Sequence, residues 1–292
     1  MRRDMCTQVY IGKDVSADGH AILARSCDLS SNKNTITTIC CNPRIENSPG
    51  RRSVSIESKI EYDYPDTTYK CLTTPIVPLT KEGTLTTIGL NEMGFAVTGT
   101  ITCYNCPEIA AADPFLEDGI CEETLPDFLG KTCTTTGEAI DAIEKIMAEK
   151  GSFSANSLIV ADQKSSWLIE LYSGHQWAAL KLPTDKISVY GNMFMIQTEY
   201  DGLGADDFRH SKDLFSMPKE AGLAVMKNGK MSLCATYGGK DRIADYSNLR
   251  TYMGHYYFAM STAGEYNTKT RYPLFFEPEN KVSLKDVFSL YR

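Results

Sequence analysis

Met5-Cys6-Thr7-Gln8-Val9-Tyr10 and, beyond the turn dipeptide Asp18-Gly19, Ala21-Ile22-Leu23-Ala24-Arg25-Ser26-Cys27-Asp28 are the stretches on which the fold turns. Both have the length and apolar content of strands, and Asp-Gly between them is a hairpin signal, so the second strand is predicted to return antiparallel beside the first. That pairing brings Arg25 and Asp28 near Cys6. A guanidinium close to a thiol favours the thiolate, and a carboxylate there could hold or orient an ammonium group. The same two residues would also fit a surface ion pair at a strand end, which contributes little to stability.

Cys6 itself reads as an exposed nucleophile at the start of a strand. If the leader Met1-Arg2-Arg3-Asp4-Met5 is removed, Cys6 carries a thiol and a free α-amine. An α-amine titrates near pKa ~8, so a useful fraction can accept the thiol proton close to neutrality. A cysteine in this position also fits the role of a small buried hydrophobe.

The 292 residues suffice for one large domain with a substantial core. A net charge of −7, with Arg2-Arg3 and Arg51-Arg52 as scattered pairs, argues against a nucleic-acid groove, which needs clustered positive charge. The ten cysteines occur in a full-sized chain whose leader has no signal-peptide core, so reduced thiols and a cytoplasmic location are expected. No apolar run is long enough to span a bilayer as a helix. Cys103-Tyr104-Asn105-Cys106 lacks a second ligand pair at zinc spacing, since Cys40 and Cys41 are adjacent and His20, His175, His210 and His255 stand singly. Packing thiols are the expected reading, with no metal.

Thr84 to Gly89 and Phe95 to Thr102 flank Asn91-Glu92-Met93-Gly94 as a second hairpin, with Asn91 forming the turn. Gly137 to Lys150 places Ile140, Ile143 and Met147 on one helical stripe, ended by Gly151. Four short strands then read as a meander: Leu158–Ala161, Trp167–Leu171, Trp177–Leu182 and Ile187–Tyr190. Several are apolar throughout, as in sheets covered on both faces. Tyr200 to Lys240 reads as irregular, with one short helix and no assigned chemistry. Ser283-Leu284-Lys285-Asp286 resembles a capping box, opening a helix whose apolar stripe would be Leu284, Val287, Phe288 and Tyr291. Composition and pattern support an α+β class.

Five segments in order resemble the dipeptidase A and secernin family of cysteine N-terminal nucleophile (Ntn) hydrolases. They are Met5-Cys6-Thr7 with Ala24-Arg25-x-x-Asp28; Asn91-Glu92-x-Gly94; Gly174-His175-x-Trp177 followed by Gly191-Asn192; Asn248-Leu249-Arg250; and Lys281 to Val287. The resemblance implies an αββα sandwich of mainly antiparallel sheets over residues 6–292, after a removed leader 1–5. It also implies that the C-terminal part of the family domain is missing, with a second sheet left incomplete. Cys6 would be the nucleophile, Arg25 and Asp28 would tune its thiol and amine, Asn192 would donate to the oxyanion, and Arg250, in an Arg-containing loop, would supply positive charge near the nucleophile or for the substrate carboxylate. Read from the sequence alone, Asn192 also fits a turn residue after Gly191, Arg250 a surface arginine, and His175 and Trp177 core or scaffold positions. The implied activity is a cysteine dipeptidase acting on dipeptides or short peptides through a thioester, with no cofactor, no membrane or nucleic-acid partner, and a homo-oligomer as a possible state. An amidase of the choloylglycine hydrolase or penicillin V acylase type shares the same site pattern. A non-enzymatic relative of the secernin kind is the third reading.

Overall fold

The computed structural model describes residues 5–28, 36–77, 86–100, 103–121, 124–197, 202–239 and 245–292. The expectations for Met1–Asp4 and for the strand ends at 84–85 and 101–102 lie outside these residues.

Among the described residues, two antiparallel sheets stack with helices on their outer faces. The smaller has three strands, with Met5–Ile11 in the middle between Ile187–Tyr190 and Ile22–Asp28. The larger has nine. It runs from Phe208–His210 through Trp177–Lys181, Ser166–Leu171, Asn156–Ala161, Ala96–Thr100 and Thr86–Asn91 to Cys71–Val77, against which Ile36–Thr37 and Cys40–Asn42 both pair.

Strand alternation sorts the apolar side chains into three layers. Val97, Leu158, Val160 and Ile169 face outward from the large sheet, against Leu125 and Leu129 of helix Leu125–Thr132 and Ile140, Ile143 and Met147 of helix Thr136–Glu149. Between the sheets lie Ile159, Leu168, Ala178 and Leu180 from one side and Tyr10 and Tyr190 from the other. Val9, Ile11, Ile187 and Val189 face outward from the small sheet, against Phe258 and Val287 of two further helices, Asp245–Phe258 and Leu284–Leu290. Helix, sheet, sheet, helix is thus the order of layers, and the class is α+β.

Four expectations are corrected. Ile187–Tyr190 is no member of the meander: it leaves the large sheet and pairs with Met5–Ile11. Its apolar residues fit either sheet, and the choice rests on long-range pairing that an apolar run does not encode. Within the expected irregular segment Tyr200 to Lys240, the described residues 202–239 hold more structure than expected: an edge strand, the helices Ser216–Glu220 and Leu233–Gly238, and the fully buried Cys234 and Tyr237. Arg250 lies within helix Asp245–Phe258 and not in a loop. That helix presses so closely on the small sheet that a Cβ on Gly254 would collide with Val189. Finally, the capping box at Ser283 forms, with Ser283 and Asp286 bonding reciprocally, but the helix turns Val287 inward with Leu290 and Tyr291 beside it. Leu284 and Phe288 sit on its flank, 51% and 65% exposed.

Candidate active site

Cys6 stands where the central strand of the small sheet loses one of its partners. Gly12 donates to the Lys186 carbonyl at 2.9 Å, so the alternation of the ladder points the main-chain groups of even-numbered residues, Cys6 included, toward strand Ile187–Tyr190. In register, Cys6 falls opposite position 192, two residues past the end of that strand. There the chain bends, with Met193 N–H bonded to the Gly191 carbonyl at 2.8 Å. Side chains replace the missing ladder: Asn192 Oδ1 accepts the Cys6 N–H at 3.1 Å, and Arg250 Nη1 donates to the Cys6 carbonyl. Both main-chain groups of the cysteine are therefore held by residues far along the chain.

Arg250 binds several groups at once. Its guanidinium also donates to Asn192 Oδ1 at 3.0 Å, Thr7 Oγ1 at 3.2 Å and Ser247 Oγ at 3.1 Å, with its centre 4.7 Å from the Tyr246 ring centroid. Burial lowers its pKa below the usual arginine value, opposed by the charges of Tyr246, Asp28 and Cys6. Glycine at 191 makes the approach possible, because a Cβ there would lie 2.5 Å from the guanidinium carbon. Two donors converge on one carboxamide atom of Asn192, which fixes that atom as the oxygen and makes Nδ2 the donor on the other side.

Arg25 approaches from the partner strand, between the sheets. Its Nη2 lies 2.6 Å from Cys6 Sγ while Nη1 reaches the Thr87 carbonyl of the large sheet at 3.3 Å. A guanidinium in that position favours the thiolate. Asp28 is exposed and opposite Met5 in the ladder, so it acts on Arg250 and Tyr291 through its charge. The structure thus gathers Cys6, Arg25, Asn192 and Arg250 within hydrogen-bonding distance and leaves Asp28 at the margin. The expectation of an exposed nucleophile is corrected: Cys6 is 0% exposed in the chain that runs on through Met5, whose Sδ is 3.9 Å from Arg250.

Two further residues shape this end of the sandwich. Tyr291 donates to the Thr7 carbonyl at 3.0 Å, and burial pushes its hydroxyl pKa up. Glu170 is completely buried in strand Ser166–Leu171, where it accepts the Met195 N–H at 2.6 Å, the Tyr172 hydroxyl at 2.8 Å and the Ile196 N–H at 3.4 Å. Burial raises its pKa to about 7 against those hydrogen bonds and the charge of Arg271. A lone carboxylate in Trp167-Leu168-Ile169-Glu170-Leu171 was the sequence signal for it. For Tyr291 there was none beyond its place on the last helix.

The other motif residues make their contacts within the fold. Asn91 closes its turn, accepting from Met93 and Phe95 and donating to the carbonyls of Gly130 and Cys133. Trp177 is core. His175 Nδ1 bonds Asp113 Oδ1 at 2.8 Å; burial works against the Asp113 carboxylate, but hydrogen bonds from His175 and Ser173 hold its pKa below the usual value. Cys103 is buried and Cys106 donates to Glu108, and no group of three or more metal-ligating side chains occurs among the described residues.

The chain matches Peptidase family C69 over residues 5–292. It is 28% identical over 295 aligned residues to a probable dipeptidase B of Streptococcus pyogenes serotype M6, covering 98% of this chain and 56% of that protein. A probable dipeptidase B of Lactococcus lactis subsp. lactis is 28% identical (98% and 60% covered), and a probable dipeptidase of Salmonella dublin is 25% identical (98% and 66% covered). The chain thus spans little more than half the length of the first two. Among solved structures, a mutant conjugated bile acid hydrolase from Clostridium perfringens aligns with a TM-score of 0.34 at 12% identity, covering 79% of this chain and 63% of that one. A penicillin V acylase from Agrobacterium tumefaciens aligns at 0.31 and 16%, covering 64% and 49%. With the match running almost from end to end, the chain belongs to peptidase family C69.

Proposed function

We propose that this chain carries the nucleophile of a cysteine dipeptidase that hydrolyses short peptides through a thioester. The observation that carries the reading is the double hold on Cys6: Arg25 on its sulfur, and Asn192 with Arg250 on its main chain. Removal of residues 1–5 converts the Cys6 N–H, now a peptide amide bonded to Asn192 Oδ1, into an α-amine in the same place. That amine takes the thiol proton as Cys6 attacks the scissile carbonyl, passes it to the leaving amine, and activates water against the acyl-enzyme. Asn192 Nδ2 is the proposed donor to the oxyanion, and Arg250 holds the carboxamide in the orientation this requires. Asp28 contributes negative charge toward the ammonium form. No helix among the described residues is long and apolar enough to cross a membrane.

The test joins N-terminal sequencing to turnover. Purified protein should begin at Cys6 and hydrolyse members of a dipeptide panel in preference to glycocholate and penicillin V, with Cys6→Ser inactive. Preference for either of the last two compounds would replace the dipeptidase by another amidase. A homogeneous active species retaining Met5 would overturn the mechanism, and a correctly processed protein inert toward all three would support a non-enzymatic member.

A further inference from the structure

Cys27 stands directly opposite Cys6 in the hairpin ladder. The alternation that points the main chain of Cys6 toward strand Ile187–Tyr190 makes Cys6–Cys27 a non-hydrogen-bonded pair of the neighbouring ladder. Side chains of such a pair share one face, with Cα atoms about 4.5 Å apart and side chains closer than in the hydrogen-bonded kind. A disulfide accepts Cα separations of about 4.4–6.8 Å, so these two sulfurs can join without moving a strand. Both cysteines are reduced here, and Cys27 is half-buried. Arg25, two residues before Cys27, lies 2.6 Å from the Cys6 sulfur and favours its thiolate, the form that reacts with peroxides.

We propose that Cys27 is a resolving thiol for Cys6, so that a peroxide converts the site into a Cys6–Cys27 cross-strand disulfide that switches hydrolysis off reversibly. The inference rests on the reading of Cys6 as the nucleophile: the residue is 0% exposed while the chain runs on through Met5, and removal of residues 1–5, which would open its sulfur to a dipeptide, would open it to hydrogen peroxide as well. In the first step the Cys6 thiolate attacks one peroxide oxygen, the O–O bond breaks, and the departing hydroxide takes a proton to leave as water, giving a sulfenic acid. The Cys27 sulfur then attacks the sulfenic sulfur. The S–S bond forms, the S–O bond breaks, and the hydroxyl leaves as a second water with the Cys27 proton. Two thiols have lost two electrons to one peroxide. Without Cys27 the sulfenic acid would persist and oxidise further to sulfinic and sulfonic acids, which thiols do not reverse.

The experiment treats the full chain and its Cys27→Ser variant with hydrogen peroxide and follows peptide masses and dipeptide hydrolysis before and after dithiothreitol. The native protein is expected to lose two hydrogens, yield a linked peptide pair containing Cys6 and Cys27, and recover most of its activity on reduction. Cys27→Ser should keep the basal activity, then gain two or three oxygens on Cys6 and recover little. Native protein that forms no linked pair, or a variant that recovers as well as the native protein, would overturn the proposal. The mass readout needs no turnover, so it remains decisive if the hydrolytic reading fails; that reading is judged separately by the activity of Cys6→Ser.

Discussion

Glu170 Oε1 accepts the Met195 N–H at 2.6 Å, pinning to the core the segment that begins with Gly191 and Asn192. Glu170 bonds Met195, Tyr172 and Ile196 and none of the groups around Cys6, so any effect it has on the proposed reaction would be one of positioning. Glu170→Gln keeps an acceptor oxygen but substitutes an amide that cannot satisfy two N–H donors and a hydroxyl together. The expected result is a fall in kcat of up to about 100-fold with KM near the native value, as follows if the proposed oxyanion donor, Asn192, is displaced. Equal kinetics in native and variant protein would remove Glu170 from this role.

Glu170 and His255 give opposed pH dependences of stability. Glu170 has its pKa raised by burial from the ordinary 4.5 to about 7, so between those values the folded state holds a proton that the unfolded state has lost. Its contribution is full below 4.5 and is lost as pH rises through 7. His255 is stacked on Phe276 and bonded to the Pro273 carbonyl, and burial lowers its pKa from 6.5 to about 4. Its contribution is full above 6.5 and is lost as pH falls toward 4. The two slopes oppose each other from 4.5 to 6.5. In urea titrations across that range, Glu170→Gln should gain stability relative to the native protein as pH rises, and His255→Phe should gain relative to it as pH falls.

Removing Arg25 should uncouple the sulfur from its charge. Arg25→Met should lower kcat/KM by about 100-fold, comparable with the loss of one preorganised electrostatic partner. The rate of iodoacetamide alkylation of Cys6 should reach its half-maximum about 1–3 pH units higher than in the native protein. Arg25→Lys should restore part of both, because it returns the charge without the fork that also binds the Thr87 carbonyl.

Gly191→Ala tests the packing behind Asn192. The new Cβ would lie 2.5 Å from the Arg250 guanidinium, whose bonds to Cys6, Thr7, Asn192 and Ser247 oppose its retreat. Overpacking of this kind costs about 1–3 kcal/mol, read as a shift in the urea midpoint, and activity should fall further because the displaced side chain is the one holding Asn192. If Asn192 is the oxyanion donor, Asn192→Ala should lose about 3 kcal/mol of transition-state stabilisation, and the urea midpoint should fall as well, because the Cys6 N–H and Arg250 Nη2 lose their shared acceptor.

What could be read from the sequence follows the range of each signal. Helix Thr136–Glu149 and the Ser283 capping box are encoded within a few residues, and both formed close to their expected bounds. Helix Asp245–Phe258 was missed because its outward face, Tyr246, Leu249, Met253 and Tyr257, is as apolar as a buried one, which erases the amphipathic period. The Cys6–Arg25 neighbourhood was legible because two strand-like runs lie close in sequence, although their register is closed by the whole loop from Gly12 to Ala21 and not by the Asp18-Gly19 turn alone. Asn192 and Arg250 were legible only through the resemblance, since no local pattern encodes a side chain that completes a ladder broken at Gly191.

The bonds that hold Cys6 join it to residues 186 and 244 positions away. Contacts of such separation form late in folding, after the entropy of closing the intervening loops has been overcome. During synthesis Cys6 emerges well before Asn192 and Arg250, so it lacks the carboxamide and guanidinium that hold its main chain until synthesis has passed Arg250 and the small sheet has closed. If Cys6 is the nucleophile proposed above, topology sets the moment at which its surroundings are complete: not before the chain through Arg250 has folded.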